Sequence, residues 1–227
     1  MLRRILIYLI FTLGLNFGIY AAAQQVSASS EAIVIAPLPK GEFSAESAVI
    51  RRVAEDEWVL DEDFYFIDSL GHEWHAPAGT ITDGASIPQA FLSVIGDKFH
   101  PDFLDAAVVH DAYCGWENIG GPSFQAESWE YVHYMFYEAL LTNGVPEEKA
   151  KVMFTAVYIG GPRWGDGLEA NGDAGWSTPG LNLQTVEDEE AKLEAQMAEL
   201  EAMAEWIETE NPDIEAIQAM LMEEKTP

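Results

Sequence analysis

Apolar and polar residues alternate in short runs between Ala48 and Ile81. The runs are SAVIRRV, EWVLDEDFYFID and HEWHAPAGTI, and Ser69-Leu70-Gly71 separates the last two as a turn. A period of two residues is typical of strands that bury one face. The pattern therefore predicts a small antiparallel sheet in this part of the chain.

After residue 85 the apolar positions follow a helical period instead. The pattern predicts helices over 101–114, about 125–142 and 146–159. A proline opens the first and the third helix, while Asn143-Gly144 and Gly160-Gly161-Pro162 end the second and the third. We therefore predict an α+β fold, in which a small antiparallel sheet is followed by a core of two to three helices.

The segment 186–227 differs from the rest because it is strongly acidic and amphipathic. Asn211-Pro212 divides it into a longer and a shorter helix. The apolar stripe of the longer helix consists of Leu193, Met197, Leu200, Ala204 and Ile207. Two interpretations remain open: a solvated tail that packs this stripe on the domain, or a surface for a protein partner or a second copy.

The two ends of the chain frame a single domain over residues 48–180. Residues 1–23 carry two arginines, an apolar run and three alanines, which is the layout of a cleavable secretory signal, with a transmembrane helix as the competing interpretation. Residues 24–47 are small, polar and proline-containing, which indicates an extended arm. The expected location is the periplasm or the exterior of the cell.

Charge restricts the partners of this protein. The chain has 227 residues, 48% of them hydrophobic, and a formal net charge of −28. Such a surface repels nucleic acid and anionic membranes, and divalent cations are its natural partners. Cys114 is the sole cysteine, so an internal disulfide is excluded.

The turn TDGASIP, residues 82–88, carries the first candidate ligand. Ser86 and Gln89 have the spacing of a capping box, so Ser86 is interpreted as a helix cap rather than a nucleophile. Asp83 lies next to Gly84, where a carboxylate can offer oxygens to a hard cation. The alternative is that Asp83 makes local hydrogen bonds in the turn.

The run HDAYC, residues 110–114, carries the second candidate group. Ala106-Ala107 lies one helical turn before His110, which leaves room for another group to approach the imidazole. Asp111 points about 100° around the helix from His110. His110 could thus handle a proton while Asp111 holds an ion, or the two could form a buried structural pair.

Three segments together resemble a family that occurs in bacteria and phages, the domain of unknown function 1353. They are WVLDEDFYFIDSLGHEWHAPAGTITDGASIP, the HDAYC helix, and FYEALLTNGVPEEKAKVMFTAVYIGGPRW. The resemblance covers about residues 56–166. It implies a fold but no activity, because the family has none assigned.

A weaker resemblance concerns the secreted phospholipase A-two enzymes, which share the order of a TDG loop, an HDxxY helix and an antiparallel helix. It implies that His110 is the general base, that Asp111 and Asp83 bind calcium, and that Tyr113 belongs to the hydrogen-bond network. In this chain His133 stands where those enzymes have the aspartate that orients the histidine.

His133 leaves three interpretations open. It could accept a hydrogen bond from His110, it could join His110 and Asp111 in binding zinc, or it could lie on the surface without a role. Two functions follow: a calcium-dependent hydrolase of a lipid or ester, with zinc as the less favoured metal, or a non-catalytic envelope or phage-derived module with a structural His-Asp clasp. The residues do not decide whether the protein is an enzyme.

Overall fold

The computed structural model describes residues 41–55, 57–84, 100–165 and 183–223, with side chains from residue 190 onward in the last range. All of them belong to one compact unit that spans Leu38–Pro227. The predicted signal segment 1–23, most of the predicted arm 24–47, and the predicted cap Ser86 with Gln89 lie outside the described residues.

In the part of the chain that the structure describes, six short strands form two antiparallel sheets of three strands each. The strands are β1 Glu42–Phe43, β2 Ile50–Arg52, β3 Trp58–Leu60, β4 Phe64–Ile67, β5 Glu73–Ala76 and β6 Ile81–Thr82. One sheet has the order β1-β4-β5 and the other the order β2-β3-β6. The α+β prediction is confirmed, but the strands divide between two sheets rather than one.

The division arises where the two longest predicted strands are interrupted. Between β3 and β4, Asp61 accepts a hydrogen bond from Arg51 Nε at 2.7 Å, and Asp63 accepts one from the backbone of Ala78 at 2.8 Å. Between β5 and β6, Thr80 folds back onto the carbonyl of Pro77 at 2.8 Å. Each run therefore bends and sends its two halves to different sheets.

Five helices and one short 3-10 turn occur after the strands in the described ranges. They are α1 Pro101–Cys114, the turn Trp116–Asn118, α2 Trp129–Thr142, α3 Glu147–Gly160, α4 Leu183–Glu210 and α5 Ile214–Glu223. His100 caps α1 by accepting from the Asp102 backbone at 3.3 Å. The predicted start of α2 at Gln125 is wrong: Gln125 has φ 54°, and Ser128 is the residue that caps the helix by accepting from the backbone of Tyr131.

Helix α1 lies at the centre of the unit. It packs against β5 of one sheet, β6 of the other, and α2. From Asp105 to Cys114 every residue is buried, which explains why this helix has no polar face. The side chains of α1 that face α2 and β6 are therefore held in a fully packed interior.

The acidic tail packs on the domain through its apolar stripe. Leu200, Met203 and Ile207 of α4 are buried, whereas Leu193 near its start is 39% exposed. Lys151 of α3 is buried and donates to Asn211 Oδ1 at 3.0 Å in the link between α4 and α5. The interpretation of a packed tail is confirmed for Leu200 and Ile207 of the predicted stripe, and binding of a protein partner or a second copy through the tail stays a prediction.

No helix in the described part of the chain is both long and apolar enough to cross a membrane.

Candidate functional site

Two buried histidines face each other across the contact between α1 and α2. His110 Nε2 lies 2.9 Å from His133 Nδ1, and His133 Nε2 lies 3.2 Å from the carbonyl oxygen of Pro162. The ring of Phe136 packs on His110, and the ring of Trp129 meets His133 edge-on. His133 is fully buried, so the interpretation of a surface histidine is wrong.

The carbonyl of Pro162 sets the direction of this chain of hydrogen bonds. A carbonyl oxygen can only accept, so His133 donates from Nε2, and in its neutral form it accepts at Nδ1. His110 must then donate from Nε2 to His133. Burial lowers the pKa of His110 to about 3, so its ring is neutral at pH 7 and its Nδ1 carries a lone pair.

Gly161, the residue that follows α3, lies close to the ring of His133 because it has no side chain. A β-carbon at this position would lie 3.2 Å from Cε1 and Nε2 of the His133 ring, and it would collide with the carbonyl oxygen of Val157. A side chain here would push the imidazole away from Pro162. Gly161 therefore helps to set the orientation of His133 and, through it, that of His110.

Asp111 fastens the start of the TDG turn to α1. Its Oδ2 accepts a hydrogen bond of 2.6 Å from Thr82 Oγ1, which in turn accepts from the backbone of Gly84 at 3.1 Å. Asn118 adds a second link, because its Nδ2 donates to the carbonyls of both Ile81 and Asp111 at 2.8 Å. The described part of the turn therefore lies against α1, as a cation shared by Asp83 and Asp111 would require.

Cys114 completes the cluster one helical turn after His110. Its Sγ lies 3.4 Å from His110 Nδ1 and donates to the His110 carbonyl at 3.2 Å. Burial, together with the charges of Asp111 and Asp83, raises the pKa of the Cys114 thiol well above its usual range. At pH 7 and without a cation, Cys114 is therefore a neutral thiol in a region of negative potential.

The donor atoms of His110, Asp111 and Cys114 converge on one point. All of them lie within 4.8 Å of one another, and His110 Nδ1 is 3.8 Å from Asp111 Oδ1. Tetrahedral zinc with bonds of about 2.0 to 2.3 Å separates its ligand atoms by roughly 3.3 to 3.6 Å. Small shifts of these side chains would therefore suffice to hold a divalent transition metal.

The sequence of this region matches a known family. Residues 58–157 match the family "Protein of unknown function (DUF1353)". The predicted resemblance is thus confirmed. Every donor of the cluster lies inside the DUF1353 match, whereas Gly161 and Pro162 lie just after it.

Two curated relatives from Sinorhizobium fredii (strain NBRC 101917 / NGR234) share this region. The "Uncharacterized protein y4iH" is 37% identical over 107 residues, which cover 47% of this chain and 41% of the relative. The "Uncharacterized protein y4jT" is 42% identical over 105 residues, which cover 46% of this chain and 29% of the relative. The chain thus spans less than half the length of either relative. No solved structure gives a significant match.

Within the DUF1353 region, the predicted site residues separate into two groups. His110, Asp111 and His133 lie together, and the charge of Asp83, which is half-buried, acts on Cys114 next to them. Tyr113 faces the sheet instead: its hydroxyl accepts from the backbone of His75 at 3.0 Å, and its ring meets Trp74 edge-on. The structure thus joins Tyr113 to β5 rather than to the histidine pair.

Sequence reasoning missed four residues of the cluster and its surroundings, namely Thr82, Cys114, Asn118 and Gly161. The spacing of Cys114 four residues after His110 was the signal that could have identified it, since i and i+4 share a helix face. Thr82 stands beside Asp83 in the quoted turn. No local pattern distinguishes Asn118, because its partners Ile81 and Asp111 are brought to it by the tertiary fold.

Proposed function

We propose that this protein is a metal-dependent hydrolase whose metal is bound by His110 Nδ1, Asp111 and Cys114 Sγ. The observation that carries the proposal is the convergence of these three unlike donors within 4.8 Å in a buried position. Burying polar groups has a cost that their partners must offset, and a shared cation would be one such partner.

The donor set favours zinc over the calcium expected from the sequence. Calcium takes six to eight oxygen ligands, whereas sulfur and nitrogen donors suit zinc and its neighbours. A thiolate and a carboxylate together carry two negative charges, which a divalent cation would neutralise in the buried cluster. Burial raises the pKa of the Cys114 thiol, and the charges of Asp111 and Asp83, which add to this rise, would also attract such a cation.

The groups around the donors have the arrangement that metal ligands need. A histidine that binds a metal usually donates its other ring N–H to a fixed acceptor, which orients the ring and raises its basicity. His110 donates to His133, and His133 is held by Pro162. Asp111 is oriented in the same way by Thr82.

A zinc ion held by His110, Asp111 and Cys114 would leave one ligand position for water. It would supply Lewis-acid chemistry, lowering the pKa of that water to about 7 so that it could attack an ester or amide carbonyl. Asp83 belongs to the turn held against this cluster, and its carboxylate is our candidate to accept the proton of that water. Asp83 is half-buried, and its charge acts on the Cys114 thiol, which supports this assignment.

A structural metal clasp is the second candidate function. The observation that favours it is burial, since His110, Asp111 and Cys114 are all at most 4% exposed. Structural zinc sites are closed by a fourth protein ligand, whereas catalytic sites keep one position for water. In that case the protein is a binding or scaffolding module that needs metal for stability.

Metal binding by the purified full chain tests the shared part of both candidates. The chain is stripped with a chelator and titrated with Co²⁺ and Zn²⁺, and Co²⁺ should produce a thiolate charge-transfer absorption band. Cys114→Ser should abolish that band, and Asp111→Asn should weaken binding. The matched control Asp213→Asn, on the remote tail, should bind like the wild type. Binding unaffected by Cys114→Ser and Asp111→Asn would refute the proposal.

Hydrolysis separates the two candidates. The zinc-loaded chain is assayed on nitrophenyl esters and on phospholipid vesicles, before and after chelation. A metal-dependent rate that Asp83→Asn lowers while zinc stays bound supports the hydrolase. Zinc binding that raises the melting temperature without any hydrolysis supports the structural clasp.

A further inference from the structure

A cavity that none of the donors His110, Asp111 and Cys114 lines lies between the helical core and the tail. Its volume is about 430 Å³, within the range typical of small-molecule sites. Helix α2, the start of α3 and the first turn of α5 form its walls. The side chains that the argument uses are Tyr134, Tyr137, Glu138, Glu147, Ile214 and Glu215.

The cavity combines aromatic rings with carboxylates, and no Lys or Arg occurs among the described residues that line it. Tyr137 is 6% exposed, and Tyr134 lies one turn before Glu138 on the same helix. Burial raises the pKa of Tyr134 to about 12, and the charges of Glu138 and Glu215 add to this effect. The electrostatic potential inside this partly desolvated cavity is therefore negative.

Two of the three carboxylates differ in how their charge is offset. Glu147 forms an ion pair with Lys151 Nζ at 2.7 Å. Glu138 instead accepts a hydrogen bond from the Ser69 hydroxyl, and burial raises the pKa of this carboxyl while that hydrogen bond opposes the rise. A hydroxyl is a dipole and leaves the charge of Glu138 in place. A cation in the cavity would supply the missing opposite charge.

We propose that this cavity binds a small organic ammonium ion. Aromatic faces and carboxylates are the groups that recognise ammonium ligands, through cation-π attraction and charge-assisted hydrogen bonds. The apolar side chains of Leu141, Val145 and Ile214 offer contacts for the alkyl part of such a ligand. A bare metal ion fits less well, because the close convergence of metal-binding atoms found among the described residues is at His110, Asp111 and Cys114.

The position of the cavity couples the ligand to the tail. Ile214 and Glu215 belong to α5, outside the DUF1353 match, whereas Tyr134, Tyr137, Glu138 and Glu147 lie inside it. A ligand that contacts both sides binds only when α5 is docked. Binding should therefore stabilise the docked tail, because a ligand stabilises the state that it binds.

Calorimetric titration of the full chain with choline and with ethanolamine tests this proposal. The neutral isostere 3,3-dimethyl-1-butanol and sodium chloride of equal ionic strength serve as controls. We expect saturable binding of at least one ammonium probe and none of the isostere. Absence of binding by both ammonium probes, or equal binding of choline and its isostere, would overturn the proposal.

Variants locate the binding to the cavity. Glu138→Gln keeps an acceptor for Ser69 but removes the charge, so affinity should fall roughly tenfold or more, the loss typical of one charge-assisted contact. Glu215→Gln gives the same test at an exposed position in the first turn of α5, where the change affects folding less than one at half-buried Glu138. Glu201→Gln, which is exposed on α4 and does not line the cavity, should bind as the wild type does. Unchanged affinity in both cavity variants would refute this location.

Discussion

Removal of one hydroxyl, in Thr82→Val, should destabilise the protein strongly although the side-chain volume hardly changes. Thr82 Oγ1 donates 2.6 Å to Asp111 Oδ2 and accepts from the Gly84 backbone at 3.1 Å. Thr82 is 1% exposed and Asp111 is 2% exposed, so water cannot readily replace the lost group. The substitution leaves a buried carboxylate and a buried N–H with one partner fewer each.

The expected loss of unfolding free energy is about 3 kcal/mol. A hydrogen bond to a charged group contributes about 1.5 to 3 kcal/mol, and a buried N–H that loses its acceptor costs at least about 1 kcal/mol. Valine favours strand conformation slightly more than threonine, which offsets a few tenths of this loss. For a chain of this size the melting temperature should fall by roughly 6 to 12 °C.

Thr82→Ser is the matched control for this experiment. Serine retains the hydroxyl and loses only a buried methyl group, which costs about 1 kcal/mol. Both variants are unfolded in urea at fixed pH, with the slope of free energy against denaturant checked for constancy. If Thr82→Val loses no more stability than Thr82→Ser, the hydrogen bond to Asp111 contributes little, and our account of how Asp111 holds the TDG turn is wrong.

Two further predictions concern the sheet and the end of α3. Asp68 accepts hydrogen bonds from the Trp74 indole at 3.0 Å and the Tyr131 hydroxyl at 2.8 Å; burial alone would raise the pKa of Asp68, but these and two backbone hydrogen bonds outweigh it and lower the pKa. This carboxylate thus contributes stability above its unfolded pKa of about 3.9, and the contribution is lost as the pH falls through the lower folded pKa. Asp68→Asn should therefore lower the free energy of unfolding by about 1 to 3 kcal/mol at pH 7, and urea titrations should show this difference from the wild type narrowing below about pH 4. A difference that does not change with pH would contradict this prediction. Gly161→Ala should lower the free energy of unfolding by about 1 to 3 kcal/mol through overpacking, which urea unfolding measures. By displacing His133 it should also weaken Zn²⁺ binding roughly 10- to 100-fold in a metal titration. Unchanged values would show that the position of the His133 ring does not depend on this glycine.

The sequence by itself determined the elements that local signals encode. Proline and glycine punctuation located α1 and α3 within a residue, because a helix end depends on the few residues around it. The alternating pattern identified the strand region, and the motifs identified the family match over 58–157. The sequence also indicated that His110 lies near Asp111, its neighbour on the same helix, and the phospholipase resemblance indicated that His133 lies near His110.

Tertiary structure alone decided which atoms of these elements meet. Strand pairing depends on contacts between distant residues, so the alternating pattern could not reveal that β3 and β4, four residues apart, join different sheets. The partners of Asp111 and His133 are likewise distant in sequence: Thr82 is 29 residues from Asp111, and Pro162 is 29 residues from His133. The lone pair at His110 Nδ1 follows from the contact between His133 and Pro162. The carbonyl oxygen can only accept, so His133 donates to it from Nε2 and accepts at Nδ1 the hydrogen bond that His110 donates from Nε2. Local propensity describes one segment at a time, whereas the chemistry of this cluster depends on four segments packed together.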